Sequence, residues 1–167
     1  DPNVVSGTGA FGGGADQTVT GDGSVGIGNL NTANSAAATS NQILDRVTGG
    51  TYNHPSNGAA GIIPASIAIG EGNTARSGIA IGDNNIANAS AGASFSSAIG
   101  IGNNATGAYA NALGVGNTTS GTSSTGIGTA NVASGNTAIA MGRQNTASGQ
   151  TSIALGNVAS ATQTNAI

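Results

Sequence analysis

Ser152-Ile153-Ala154-Leu155-Gly156 decides the fold, because it is the last of a series of copies. Reading back along the chain, the same pattern recurs as Thr137-Ala138-Ile139-Ala140-Met141-Gly142, Thr125-Gly126-Ile127-Gly128 and Ala112-Leu113-Gly114-Val115-Gly116. Earlier copies are Ala98-Ile99-Gly100-Ile101-Gly102, Gly78-Ile79-Ala80-Ile81-Gly82, Ser66-Ile67-Ala68-Ile69-Gly70 and Ser24-Val25-Gly26-Ile27-Gly28. The rule is small or polar, apolar, Ala or Gly, apolar, Gly. Read this way, the closing glycines fall at 28, 70, 82, 102, 116, 128, 142 and 156, with spacings of 42, 12, 20, 14, 12, 14 and 14. A short fixed period marks a repeat architecture.

The pentad alternates, so its two large apolar residues point to one side and the small residue between them to the other. Ile and Val favour strands. A closing Gly permits the positive φ of a corner, and Asn tolerates it too. Fourteen residues are too few for a βαβ unit but enough for one turn of a solenoid: strand, corner, strand, corner. Stacked turns pair each strand in parallel with its equivalents above and below, about 4.8 Å apart. The predicted fold is therefore all-β, a parallel solenoid of coils of about 14 residues.

A second half-repeat follows each pentad. Gly142-Arg143-Gln144-Asn145-Thr146-Ala147-Ser148-Gly149 shows it, with Asn131 and Ala133, Asn73 and Ala75, Asn85 and Ala87, and Asn31 and Ala33 in matching places. In three copies this turn reads as two residues shorter, with Ala105, Thr119 and Ala159 in the Ala place. Residues 1–23 are irregular, with one degenerate coil in which Gly14 lies 14 residues before Gly28. The repeats span 24–167 and are interrupted twice. Residues 88–97 form a small insertion carrying Phe95, and 34–65 a larger one. Within the larger, Ser40 is an N-cap candidate, Ile43, Leu44 and Val47 make an apolar face, and Gly49 ends a short helix. Tyr52, Asn53 and His54 then lie in a loop, a candidate insertion surface, since solenoid insertions often carry binding.

The middle pentad position is never larger than Ala, so something crowds it in every coil. It faces either a narrow coil interior or another backbone, and the sequence leaves both open. A thin coil under-covers its own apolar residues, and association of identical chains is the natural remedy. Ile27, Ile69, Ile81, Ile101, Val115, Ile127, Met141 and Leu155 are the candidates for repeat core or interchain packing.

Composition excludes much else. The 167 residues include 30 Gly, no Cys, no Trp, three basic residues, all Arg, and six acidic ones. Net charge is −3, with no basic run to bind nucleic acid. Without Cys there is no disulfide framework and no thiolate metal site. No apolar run approaches the ~20 residues of a membrane-spanning helix. A disordered low-complexity segment is the bland alternative, but such segments lack periodic apolar residues. The ends read as cuts from a longer protein, since Asn165-Ala166-Ile167 starts another pentad.

No catalytic constellation emerges, and neither a cofactor nor a metal is expected. His54 is the one histidine, with no acidic partner nearby in sequence. Glu71 and Asp83 lie one repeat apart in equivalent corners and read as exposed corner residues. Gly12-Gly13-Gly14-Ala15-Asp16 hints at a calcium-binding nonapeptide, but no tandem copies follow.

The repeat resembles the head domain of trimeric autotransporter adhesins of the YadA type. Their motif is close to Asn/Ser-Val-Ala-Ile-Gly-x-x-Ser/Asn-x-Ala, which Ser66-Ile67-Ala68-Ile69-Gly70-Glu71-Gly72-Asn73-Thr74-Ala75 and Ser152-Ile153-Ala154-Leu155-Gly156 match nearly letter for letter. The resemblance covers roughly 24–33 and 66–167. It implies a left-handed parallel β-roll in a homotrimer, displayed at the outer membrane surface of a Gram-negative bacterium on a stalk and anchor absent here. It further implies attachment to host cells or matrix proteins of the collagen, fibronectin and laminin class, and self-association. Carried over, the candidate ligand surface is Ser66, Ile67, Ala68, Ile69 and Gly70, with Ser152, Ile153, Ala154, Leu155 and Gly156. The long insertion departs from the pattern and leaves the ligand unnamed.

Three rival functions are weighed. A structural spacer with no ligand of its own is the main alternative. An ice-binding solenoid needs a Thr array, and the place four after each glycine reads Thr32, Thr74, Ile86, Thr106, Ser120, Val132, Thr146, Ser160, which is too mixed. A polysaccharide-acting β-helix enzyme needs clustered acids, and only Glu71, Asp83, Arg76 and Arg143 are candidates.

Overall fold

The structure, a computed structural model, describes residues 3–7, 9–20, 24–34, 66–76, 78–89 and 95–167. It is an all-β solenoid of two parallel sheets. The pentads form the nine-stranded sheet: β2 (Phe11–Ala15), β4 (Val25–Asn29), β6 (Ile67–Glu71), β8 (Gly78–Asp83), β10 (Ser96–Ile101), β12 (Asn111–Val115), β14 (Thr125–Thr129), β16 (Ile139–Arg143) and β18 (Ile153–Asn157). The short strands form the ten-stranded sheet: β1 (Val4–Ser6), β3 (Thr18–Thr20), β5 (Thr32–Asn34), β7 (Thr74–Arg76), β9 (Ile86–Asn88), β11 (Asn104–Ala105), β13 (Thr118–Thr119), β15 (Val132–Ala133), β17 (Thr146–Ala147) and β19 (Ser160–Ala161). Each coil is one strand of each, and every strand pairs in parallel with its equivalents one coil away. Phe11–Ala15 and Thr18–Thr20 make a coil of their own, packed on the next.

The interior is made of the small residues. Ala68, Ala80, Ala98 and Ala140 from the pentad sheet face Ala33, Ala75, Ala87 and Ala147 from the other, all with no exposed surface. Of the two readings left open for the middle pentad position, the narrow coil interior is the one the fold uses. Volume is balanced across it. Where Val19 replaces the Ala, its Cγ2 lies 2.5 Å from where a Cβ on Gly26 would stand. Where Thr119 replaces it, the facing residue is Gly126, and the same distance is 2.9 Å. The large aliphatics of the pentad lie on the other side of the sheet, outside the coil.

The first corner, after each pentad, has one length throughout. A glycine at φ near +120° (Gly14, Gly28, Gly70, Gly82, Gly100, Gly114, Gly128, Gly142, Gly156) is followed two residues later by a residue in the left-handed region. The third residue is Asn31, Asn73, Asn85, Asn103, Asn117, Asn131 or Asn145, and its side chain turns inward and is buried. Positive φ therefore falls on Leu30, Ala130 or Gln144, and the Asn is wanted for its amide.

These amides form a ladder. Asn117 Nδ2 donates to Asn103 Oδ1 at 2.9 Å, and Asn131 Nδ2 to Asn117 Oδ1 at 2.9 Å. Each Oδ1 also accepts the backbone N–H of the next Asn, as Asn117 Oδ1 does from Asn131 at 3.0 Å. Each Nδ2 also faces a carbonyl of its own pentad and the glycine carbonyl of the next coil, as Asn117 does Leu113 O and Gly128 O, so its two hydrogens are shared among three acceptors. Gln17 starts the buried series by accepting from Asn31, and Ala159 ends it with only its N–H donated to Asn145 Oδ1. Both faces of every amide are thereby satisfied, as burial requires.

The ladder corrects the sequence register. Gly100 and Gly114 align with Gly82 and Gly128, so the closing glycines of those two coils are 100 and 114, not 102 and 116. The pentads there are Ser96 to Gly100 and Ala110 to Gly114. The ladder steps are 42, 12, 18 and then 14 residues. Ala105 and Thr119 do hold the Ala place, paired with Ala87 and Ala133, and no first corner is shortened. Ala159 instead holds the Asn place, and Ala161 pairs with Ala147. All length variation falls between the short strand of one coil and the pentad strand of the next, after Asn34, Arg76 and Asn88. The predicted helix at 40–49 and Tyr52, Asn53 and His54 lie outside the described residues.

Candidate functional site

With the interior filled by Ala, Asn and Gly, anything the protein recognises must meet the outer faces. On the pentad sheet these are three columns running along the solenoid, two residues apart across each strand. The central column is apolar in eight successive coils: Ile27, Ile69, Ile81, Ile99, Leu113, Ile127, Met141 and Leu155. Leu113 and Leu155 are 47% and 56% exposed, far from the burial such side chains reach in a core. The column before it is apolar at Val25, Ile67, Ile79, Ile139 and Ile153 but polar at Ser97, Asn111 and Thr125. The column after it reads Asn29, Glu71, Asp83, Ile101, Val115, Thr129, Arg143 and Asn157.

These columns explain the two-residue slip in the sequence register. In the middle coils the apolar pair moves from the first and second columns to the second and third. Ile99-Gly100-Ile101 thus imitates a pentad one column out. The Gly-x-x-Asn spacing shared by seven coils, here Gly100 to Asn103 and Gly114 to Asn117, is the signal that fixes the true frame.

The residues expected at the site separate accordingly. Within Ser66 to Gly70, Ser66 and Ala68 are fully buried, and only Ile67 and Ile69 face outward. Ser152 and Ala154 are likewise interior, while Ile153 and Leu155 look out. The buried four are thus corrected from ligand surface to coil lining. Among the core or packing candidates, Ile27, Ile101, Val115, Met141 and Leu155 are exposed, and Ile69, Ile81 and Ile127 half-buried, all outside the coil interior. Any packing role they have is against something other than this chain's own coil.

The ten-stranded sheet presents a different face. Its outer column reads Thr18, Thr32, Thr74, Ile86, Asn104, Thr118, Val132, Thr146 and Ser160. Asn104 and Thr118 stand where the uncorrected register put Thr106 and Ser120. Exposed Ser120, Ser134 and Ser148 flank it. Among the described residues the face is rich in hydroxyls, interrupted by the exposed Ile86 and Val132, with Arg76 its one charge.

Glu71 and Asp83 are neighbours in adjacent strands, as their equivalent corners implied. Asp83 accepts a hydrogen bond from the side chain of the adjoining Asn84. Among the described residues, no group of three His, Cys, Asp or Glu could hold a metal ion. No family model, no curated protein and no solved structure matches this chain.

Proposed function

We propose that this chain is the head segment of a bacterial surface adhesin of the YadA-like kind, a β-roll that joins two further copies through its pentad face. The continuous apolar column from Ile27 to Leu155 carries the reading. Eight successive coils place a large apolar side chain there, five of them exposed and three half-buried, and a contiguous apolar stripe of this kind marks an association surface. Threefold packing would cover it and leave the Thr- and Ser-rich face of the other sheet outermost, three times over. Contacts by that face to a host matrix protein would be individually weak, built of hydroxyl and backbone groups. Repetition within a trimer, and over many trimers on one cell, raises the effective concentration of neighbouring sites and converts weak contacts into avidity. The left-handed winding and the outer-membrane location belong to this proposal.

Light scattering on the purified chain tests it first. A mass of three times 15.6 kDa is expected, and Leu113→Asp should leave the fold intact but lower the mass to that of one chain. A folded monomer in the unmodified chain would sink the trimer and the avidity mechanism with it. Binding to immobilised collagen, fibronectin and laminin, compared with a variant carrying Thr118→Asp and Ser134→Asp, then separates adhesin from spacer. The spacer reading has one feature in its favour: interior ladders of Asn and Gly stiffen the rod whatever its surface carries.

A further inference from the structure

The third outer column pairs complementary residues about its centre: apolar with apolar, polar with polar, and acid with base. The centre lies between the coils of Ile101 and Val115, two exposed aliphatics in adjacent strands. One coil out on either side stand Asp83 and Thr129, a carboxylate and a hydroxyl. Two coils out stand Glu71 and Arg143, opposite charges; three coils out stand Asn29 and Asn157.

The corner column mirrors at its centre and its ends, while Asn84 faces Ala130 and Gly72 faces Gln144 without matching chemistry. Gly102 and Gly116 flank the centre, and space for a Cβ is open at both, with nothing within 4 Å. At the two ends stand Leu30 and Val158, 54% and 65% exposed. Both sit in the left-handed region, at φ 56° and 59°. A β-branched residue there is strained, and this one recovers nothing by burial within its own chain. The coils are stacked continuously through the corner, as Gly116 N–H donating to Ile101 O at 2.8 Å and Val158 N–H donating to Arg143 O at 2.9 Å show.

We propose that this corner docks on the same corner of a second copy, antiparallel, about a two-fold axis between the coils of Ile101 and Val115. A two-fold contact is isologous: each residue meets its counterpart, and the counterpart meets it in return. Here Ile101 meets Val115 over the bare glycine corners, Glu71 meets Arg143 twice, and Leu30 meets Val158 at each end. A parallel contact would set Glu71 against Glu71 and Arg143 against Arg143. Of Asp16, Glu71, Arg76, Asp83 and Arg143, the charged residues among those described, three lie on this column. The contact uses the third column and the corner, at the rim of the pentad face, two residues from the central column assigned to the trimer. Antiparallel polarity joins molecules projecting from opposed surfaces, giving the self-association of the proposed adhesin a defined mode. The pairing itself does not depend on that reading.

The absence of cysteine makes the test clean. Ile101→Cys and Val115→Cys chains are purified separately, mixed and oxidised. Mixed 101–115 disulfides are expected to dominate, with few homodisulfides in either chain alone. Homodisulfides at least as abundant as mixed ones would mean parallel contact and overturn the proposal; so would cross-linking no greater than that of a Ser134→Cys control on the other face. In a second arm, Arg143→Glu should weaken self-association measured by sedimentation about five- to tenfold, since two ion pairs become repulsions. Glu71→Arg combined with Arg143→Glu should restore it, and a double variant no better than the single would overturn the proposal. Trimer mass measured on the same variants is read independently, so loss of the trimer is distinguished from loss of this contact.

Discussion

At the scale of single residues, three kinds of interior position carry the fold, and each fails differently. Gly128 has φ +114°, and a Cβ there would stand 2.0 Å from Gly142 O. Gly156 shares the conformation, but nothing lies within 4 Å of its Cβ position. Gly128→Ala should therefore prevent stable folding, while Gly156→Ala costs only backbone strain, about 1–3 kcal/mol; urea denaturation of the pair checks this. Asn117→Ala removes the Oδ1 that serves both the backbone and side-chain N–H of Asn131, and should cost roughly 3 kcal/mol by the same measurement. Thr119 and Gly126 make a coupled pair. Gly126→Ala should destabilise by about 1–3 kcal/mol through overpacking on the Thr119 methyl. Thr119→Ala should be nearly neutral, since it also removes a buried hydroxyl without a partner, and the double variant should recover most of the loss. The sequence showed that the middle pentad position is small but not which residue it faces. That needs the second strand folded back over the first.

At the scale of the element, the coil is the unit and the first corner sets its phase. Deleting 129–142 removes one whole coil and joins Gly128 to Arg143, keeping the Gly-x-x-Asn spacing. Deleting 129–141 keeps one residue more and shifts every following side chain to the wrong face. The first variant should retain its β-sheet circular dichroism and lose one interface's worth of stability, as repeat stacks do. The second should lose the ordered structure beyond Gly128. Coil length was legible from the sequence because apolar residues recur at strand spacing. Coil phase was not legible from them, since Ile101 and Val115 continue the alternation past the closing glycine. Apolar periodicity reports which side of a strand a residue takes, not how far along the strand it stands. The Asn ladder reports the latter, because an amide reaches its neighbour only when the coils are in register.

For the whole molecule, two contacts with copies of itself are expected, and salt should separate them. Burial of the central aliphatic column should strengthen in sulfate, which is excluded from protein surfaces. The corner contact, held partly by Glu71 and Arg143 at the rim, should weaken as sodium chloride rises, because exposed charges are screened within ~8 Å at 0.15 M. Sedimentation in the two salts should thus move the trimer and the antiparallel pair in opposite directions. A common response would show that one surface serves both. The sequence drew six of the eight residues of the central column, and a two-residue slip put Ile101 and Val115 where Ile99 and Leu113 stand; the corner surface, which takes in that displaced pair, could not be drawn until the register was fixed.

By itself the sequence determined the architecture: short strands of Ile and Val, closing glycines and a near-constant period permit little but a parallel solenoid. It also determined that the coil is thin, since nothing larger than Ala stands between the paired aliphatics. The tertiary structure decided which way the strands face and what fills the coil. Two sheets bridged by such short corners lie too close for Ile to fit between them, so Ala and Gly take the inside and the aliphatics the outside. It decided, too, that the asparagines are interior. A buried amide is tolerable only when donors and acceptors both find partners, and stacking supplies them one coil above and one coil below.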